Sequence, residues 1–97
     1  MRSGGIPNQS TGVDGITAHE RQAKGHTEFY LARMVQYRGR RKNVIFFVGT
    51  ENTYTEKRYR QAMRAAKRFD RAYRKYMRDG GVHPCDRDDL RYSAREL

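Results

Sequence analysis

Tyr59-Arg60-Gln61-Ala62-Met63-Arg64-Ala65-Ala66-Lys67-Arg68-Phe69-Asp70-Arg71-Ala72-Tyr73-Arg74-Lys75-Tyr76-Met77 is the stretch that decides how this chain folds. Its residues Tyr59, Ala62, Met63, Ala66, Phe69, Tyr73, Tyr76 and Met77 recur every three or four positions, so they fall on one stripe of a 3.6-residue period. Thr53 with Glu56 has the spacing of a capping box, and Gly80-Gly81 stands where helices commonly stop. The spacing predicts a helix over 54–79. Off the stripe the segment is mostly Lys57, Arg58, Arg60, Arg64, Lys67, Arg68, Arg71, Arg74, Lys75 and Arg78, which makes the opposite face a cationic rod.

An apolar stripe of this length needs a surface to cover, and the preceding residues supply it. The run Thr27 to Tyr37 and the run Asn43 to Gly49 are rich in aromatic and aliphatic residues and flank the connection Arg38-Gly39-Arg40-Arg41-Lys42. They read as a hairpin with a basic tip. An earlier strand is expected from Val13 to Arg21, with Lys24-Gly25-His26 as its turn. The expected fold is α+β: a three-stranded antiparallel sheet packed against one long amphipathic helix. Residues 1–12 have almost no apolar content and read as a flexible tail. Residues 13–79 form the expected nucleic-acid-binding domain and 80–97 a C-terminal extension. There Pro84 bars helix continuation, while Asp86 to Tyr92 begins with capping chemistry, fits a short second helix and is expected to fold back.

Composition narrows the function. Among 97 residues, 21 are Lys or Arg and 11 Asp or Glu, a net charge of +10 that makes a polyanion the default partner. Ten of the cations fall in 55–79 and seven in 19–49, so the middle of the chain is the expected binding body. No apolar run is long enough for a membrane span, and Met1-Arg2-Ser3-Gly4-Gly5 lacks the apolar stretch of a secretory signal, so a cytoplasmic protein with no membrane partner is expected. Cys85 has no second thiol for a disulfide or a Cys-rich zinc site. His19, His26 and His83 have no metal-ligand spacing, and no cofactor or metal is expected. His83 beside Cys85 suggests a nucleophile and base, but Pro84 separates them and no third orienting residue is identifiable. No catalytic residue, and no enzyme, is expected.

In order and spacing the chain resembles the ethylene-response-factor (Apetala-two) DNA-binding domain. The resemblance is carried by Gly15-Ile16-Thr17, Tyr30-Leu31-Ala32-Arg33-Met34, Gly39-Arg40-Arg41-Lys42, Phe46-Phe47-Val48-Gly49 and Gln61-Ala62-Met63-Arg64-Ala65-Ala66, and spans roughly residues 13–78. The family's tryptophan in the second strand is absent, leaving Phe29 or Tyr30 to pack there, and the connection after Gly49 is longer than in plant members. The resemblance implies a sheet that enters the major groove while the helix packs on its other face. It also implies Ala32, Met34, Phe46 and Val48 toward the helix, and Arg33, Arg21, Lys24, Arg40 and Arg41 toward DNA. Together with the small size it implies a phage or mobile-element regulator, working at the host nucleoid.

The leading expectation is sequence-preferring double-stranded DNA binding. Arg21, Lys24, Arg33, Arg38, Arg40, Arg41 and Lys42 are its sheet and hairpin contacts, with Arg64, Lys67 and Arg71 of the helix on flanking backbone. The same charge suits a structured-RNA or ribosome-associated protein. It also suits a phage-encoded protein–protein inhibitor of a host nucleic-acid or defence complex that meets an acidic partner. The tyrosines of the stripe, though able to stack on bases, read as core at helical spacing. Phe29, Tyr37, Ile45 and Phe47 make the hairpin apolar on both faces, so either the tail, the last segment or a second subunit of a homodimer covers part of it, or the strand register differs.

Overall fold

The computed structural model describes residues 9, 10 and 12–92. Three long strands, β2 (Ile16–Ala23), β3 (His26–Tyr37) and β4 (Arg40–Thr50), form an antiparallel meander, and helix α1 (Glu56–Asp79) packs on one face of it. This is the expected α+β architecture. A two-residue strand, β1 (Gln9–Ser10), pairs with Thr17 and Ala18 at the β2 edge, so the sheet has four strands in chain order. The stretch expected as a tail thus contributes β1, while its residues 1–8 and 11 lie outside the described residues.

The β3–β4 connection is shorter than expected. Only Arg38 and Gly39 join the strands, with φ of 52° and 78°. Positive φ at both central residues is the type I′ geometry whose twist matches that of the flanking strands, and Gly39 adopts it without steric cost. Arg40, Arg41 and Lys42, expected in a loose basic tip, are strand residues instead and alternate across the sheet.

The core forms where Ile16, Leu31, Val35, Phe46 and Val48 meet Ala62, Ala66, Phe69 and Tyr73. The two helical alanines are fully buried, and their small side chains bring the helix axis close to the sheet. Phe69 meets Phe46 edge-to-face at 5.9 Å between ring centroids. Phe46 and Val48 face the helix as expected, whereas Ala32 and Met34 do not; their place is taken by Leu31, Arg33 and Val35. Either alternate set of β3 is apolar, but Phe29, Leu31 and Val35 bury more surface than Tyr30, Ala32 and Met34, and a one-residue slip moves every side chain to the other face.

The helix starts two residues later than expected. Thr55 is its N-cap, accepting from the Arg58 amide at 3.1 Å, while Thr53 accepts from the Thr50 amide at 2.8 Å in the bend after β4. Arg58 occupies the position at which a capping box needs Glu or Gln, so there is no box. The stop is as expected: the Gly80 amide donates to Tyr76 O at 2.7 Å.

After α1 the chain does fold back, but as two 3-10 turns, Pro84–Asp86 and Asp88–Leu90, rather than a helix, because Arg87 between them is extended. Leu90 enters the core and Tyr92 packs against it. His83 anchors the segment. It is 8% exposed, its Nε2–H donates to Gln36 O at 2.7 Å, and its Nδ1 accepts from the Cys85 amide at 3.0 Å. Tyr37, Tyr73 and Tyr76 surround its ring, with centroids 4.7, 5.7 and 4.8 Å away. The Tyr73 hydroxyl accepts from the Gln36 amide at 2.9 Å, so both backbone groups of Gln36, where β3 outruns β2, are satisfied by side chains. His83→Ala strands the Gln36 carbonyl and frees the segment; a loss of about 2–3 kcal/mol is expected in urea unfolding. A midpoint equal to wild type would contradict this anchoring role.

Candidate nucleic-acid interface

Since α1 covers one face of the sheet, strand alternation sends Thr17, His19 and Arg21 of β2, Tyr30, Ala32 and Met34 of β3, and Arg41, Asn43, Ile45 and Phe47 of β4 to the other. No described element covers that face. Met34 and Ile45 are 39% and 40% exposed, whereas Ala32, shielded by its cross-strand neighbours Thr17 and Ile45, is buried.

Its side chains are locally ordered. His19 stacks on Tyr30 with centroids 5.1 Å apart and planes 10° apart, and Thr17 Oγ1 lies 2.7 Å from His19 Nε2. Burial lowers the pKa of His19, which favours the neutral ring at pH 7. The Arg21 guanidinium sits 5.2 Å from the Tyr30 centroid and donates to Glu28 Oε1 at 2.9 Å. Hydrogen bonds from Arg21 and then His26 hold the Glu28 carboxyl below its usual range. Arg21 is thus oriented over the face by an aromatic ring and a carboxylate.

The other expected contacts divide. Arg41 shares the open face with Arg21, and Lys24 lies exposed in the β2–β3 turn at one end of the sheet. Arg38 stands at the hairpin end, its guanidinium 5.2 Å from the Tyr37 centroid and 3.9 Å from Asp86. Arg40 and Lys42 alternate to the opposite side of β4 at that end, and the Lys42 ammonium is 5.2 Å from the Tyr37 ring. Lys24, Arg40, Arg41 and Lys42 have no ion pair among the described residues. Arg64, Lys67 and Arg71 are exposed on the outer side of α1, across the domain from the open face, so they stand outside this interface.

Arg33, expected on the groove-facing side of the sheet, is not on the open face. Its side chain lies under the helix, 14% exposed, donating from Nε to Asp70 Oδ1 at 2.7 Å, with its guanidinium 5.1 Å from the Tyr73 centroid. Asp70 also accepts from Arg74 Nε at 3.0 Å, and Arg74 reaches Asp14 at 3.2 Å. Gly15, at φ 85°, completes the site, because a Cβ there would lie 3.1 Å from Arg33 Nε. Arg33 is turned inward because its neighbours Leu31 and Val35 are the core-facing residues and the register carries all three together.

His83 and Cys85 are not arranged as nucleophile and base. The Nδ1 of His83 is occupied by the Cys85 amide rather than the thiol, and burial pushes the Cys85 thiol pKa up. Among the described residues no three His, Cys, Asp or Glu side chains group to hold a metal ion, and no helix is long and apolar enough to cross a membrane. The residues that pattern reading left out of the site are Thr17, His19, Tyr30, Met34, Asn43, Ile45 and Phe47; the double-sided apolar pattern of the hairpin was the one signal for its apolar members, and Thr17, His19 and Asn43 had none. No protein-family model, curated protein or solved structure matches this chain.

Proposed function

We propose that this protein binds double-stranded DNA through the sheet face turned away from α1, with a preference for sequence. The observation that carries the reading is that one uncovered face combines Arg21, Arg41 and Asn43 with exposed Met34 and Ile45, and ends in the cations of the hairpin and the β2–β3 turn. Three strands about 4.8 Å apart span about 10 Å between the outer two, which suits a major groove about 12 Å wide. Within the groove Arg41 has the donors for a guanine edge, Asn43 the donor and acceptor for adenine, and Met34 and Ile45 suit thymine methyl groups. Lys24 and Arg38 are left for phosphates at the two ends. The strand and helix order is also what the resemblance to the ethylene-response-factor domain implies. The deep, narrow major groove of A-form RNA does not admit such a sheet. Exposed Met34 and Ile45 also suit a protein partner, and the same experiment separates that reading.

Lys24→Ala with Arg38→Ala is expected to weaken binding to all duplexes and to lower the salt dependence by roughly one to two charges. Asn43→Ala, in contrast, is expected to cost about 1–3 kcal/mol on a selected duplex and little on a scrambled one. Salt-titrated anisotropy of wild type and both variants gives the answer. Equal affinities in all three proteins would overturn the reading and favour a protein partner.

A further inference from the structure

The outer stripe of α1 is not used by the sheet-face interface. Arg60, Arg64, Lys67, Arg71, Lys75 and Arg78 follow one another at three- and four-residue steps opposite the buried Ala62, Ala66, Phe69 and Tyr73. Asp70 is the one acidic residue between Lys57 and Arg78, and it is turned inward to Arg33. Arg60 reaches Glu56 at one end and Arg78 reaches Asp79 at the other, while Arg64, Lys67, Arg71 and Lys75 between them have no ion pair among the described residues.

A helix face kept merely soluble gains from mixing Glu with Lys at i, i+4. Like charges at that spacing cost a few tenths of a kcal/mol per pair. Here Arg60 and Arg64, Lys67 and Arg71, and Arg71 and Lys75 are all such like-charge neighbours, and Arg64 and Lys67 adjoin at i, i+3. The stripe weakens the helix that holds the fold together, and a bound polyanion removes that repulsion. From Arg60 to Arg78 the rise is about 27 Å at 1.5 Å per residue. Over that distance duplex DNA offers one phosphate charge per about 1.7 Å, ample to meet every cation of the stripe.

Direction decides which phosphates. The stripe and the open sheet face point to opposite sides of a domain measuring 42 × 29 × 25 Å, so a straight duplex seated on the sheet does not reach the stripe. We infer that the outer stripe of α1 binds the backbone of a second DNA duplex, so that one protein molecule bridges two segments. The inference rests on the sheet-face reading for the first duplex and adds a second, sequence-indifferent contact.

The test uses one duplex fixed to beads and a second, fluorescent duplex in solution, joined by the full chain at near-physiological salt. Wild type is expected to retain the fluorescent duplex at least about tenfold over beads without protein. Arg64→Ala, Lys67→Ala and Arg71→Ala combined keep good helix formers on an exposed face. The triple variant is expected to lose at least about fivefold of that retention while binding one duplex within about threefold of wild type. Equal retention by the triple variant overturns the inference and assigns bridging to self-association. Wild type that binds one duplex and retains no second also overturns it, leaving the stripe a solvated face. Wild type that binds no duplex at all removes the sheet-face reading, and this inference with it.

Discussion

Phe69→Ala is expected to lower stability by about 3–4 kcal/mol, a large share of the total for a domain of this size. The ring is 2% exposed at the centre of the helix stripe and meets Phe46 from the facing strand, so truncation opens a cavity between sheet and helix that alanines at 62 and 66 are too small to fill. At 4–8 °C per kcal/mol for small domains, the thermal midpoint should fall by roughly 12 °C or more. Met77, on the same stripe but 60% exposed near the helix end, is the control: Met77→Ala should shift the midpoint by only a degree or two. If both variants melt with wild type, the helix does not close the core as described.

Arg33→Ala carries the second large effect, and it concerns folding rather than recognition. Removing the guanidinium leaves the Asp70 carboxylate, 13% exposed, with Arg74 alone, and empties the space over Tyr73. Breaking one partner of a buried pair costs about 3–5 kcal/mol, and the residual exposure with the remaining Arg74 contact brings the expectation here to about 2–4 kcal/mol. Arg33→Met with Asp70→Leu, which replaces the pair by packing of similar volume, should recover most of that loss. Where it folds, the double variant should bind duplex DNA like wild type at low temperature. A selective loss of affinity for one DNA sequence in this folded variant would return Arg33 to the groove.

These two residues also mark what was legible in the sequence. Phe69 was placed because a helix with one apolar stripe has only one way to face its core. Arg33 was misplaced because β3 is apolar on both faces, so alternation alone left two registers. The register that buries Leu31 and Val35 carries Arg33 inward with them, where Asp70, 37 residues away on another element, receives it. The helix end was legible in Gly80, but its start was not, because Thr53 and Thr55 are both competent caps and the hydrogen bond to Thr50 claims the first. The short turn was obscured by the cations around Gly39, which read as a loop although three of them continue β4. The anchoring role of His83 depends on three tyrosines from β3 and α1 and on one backbone carbonyl, none of which sequence spacing brings together.

The central claim is that duplex DNA is met by the sheet face opposite α1. Backbone amide chemical shifts of the labelled protein, followed as a duplex containing a selected site is added, test it most directly. The account predicts saturable shifts along Thr17–Arg21, Tyr30–Met34 and Arg41–Phe47, with those of the buried helix positions Ala62 and Ala66 nearly still. Saturable binding that leaves these strand amides unmoved, whatever the outer helix stripe does, would contradict it.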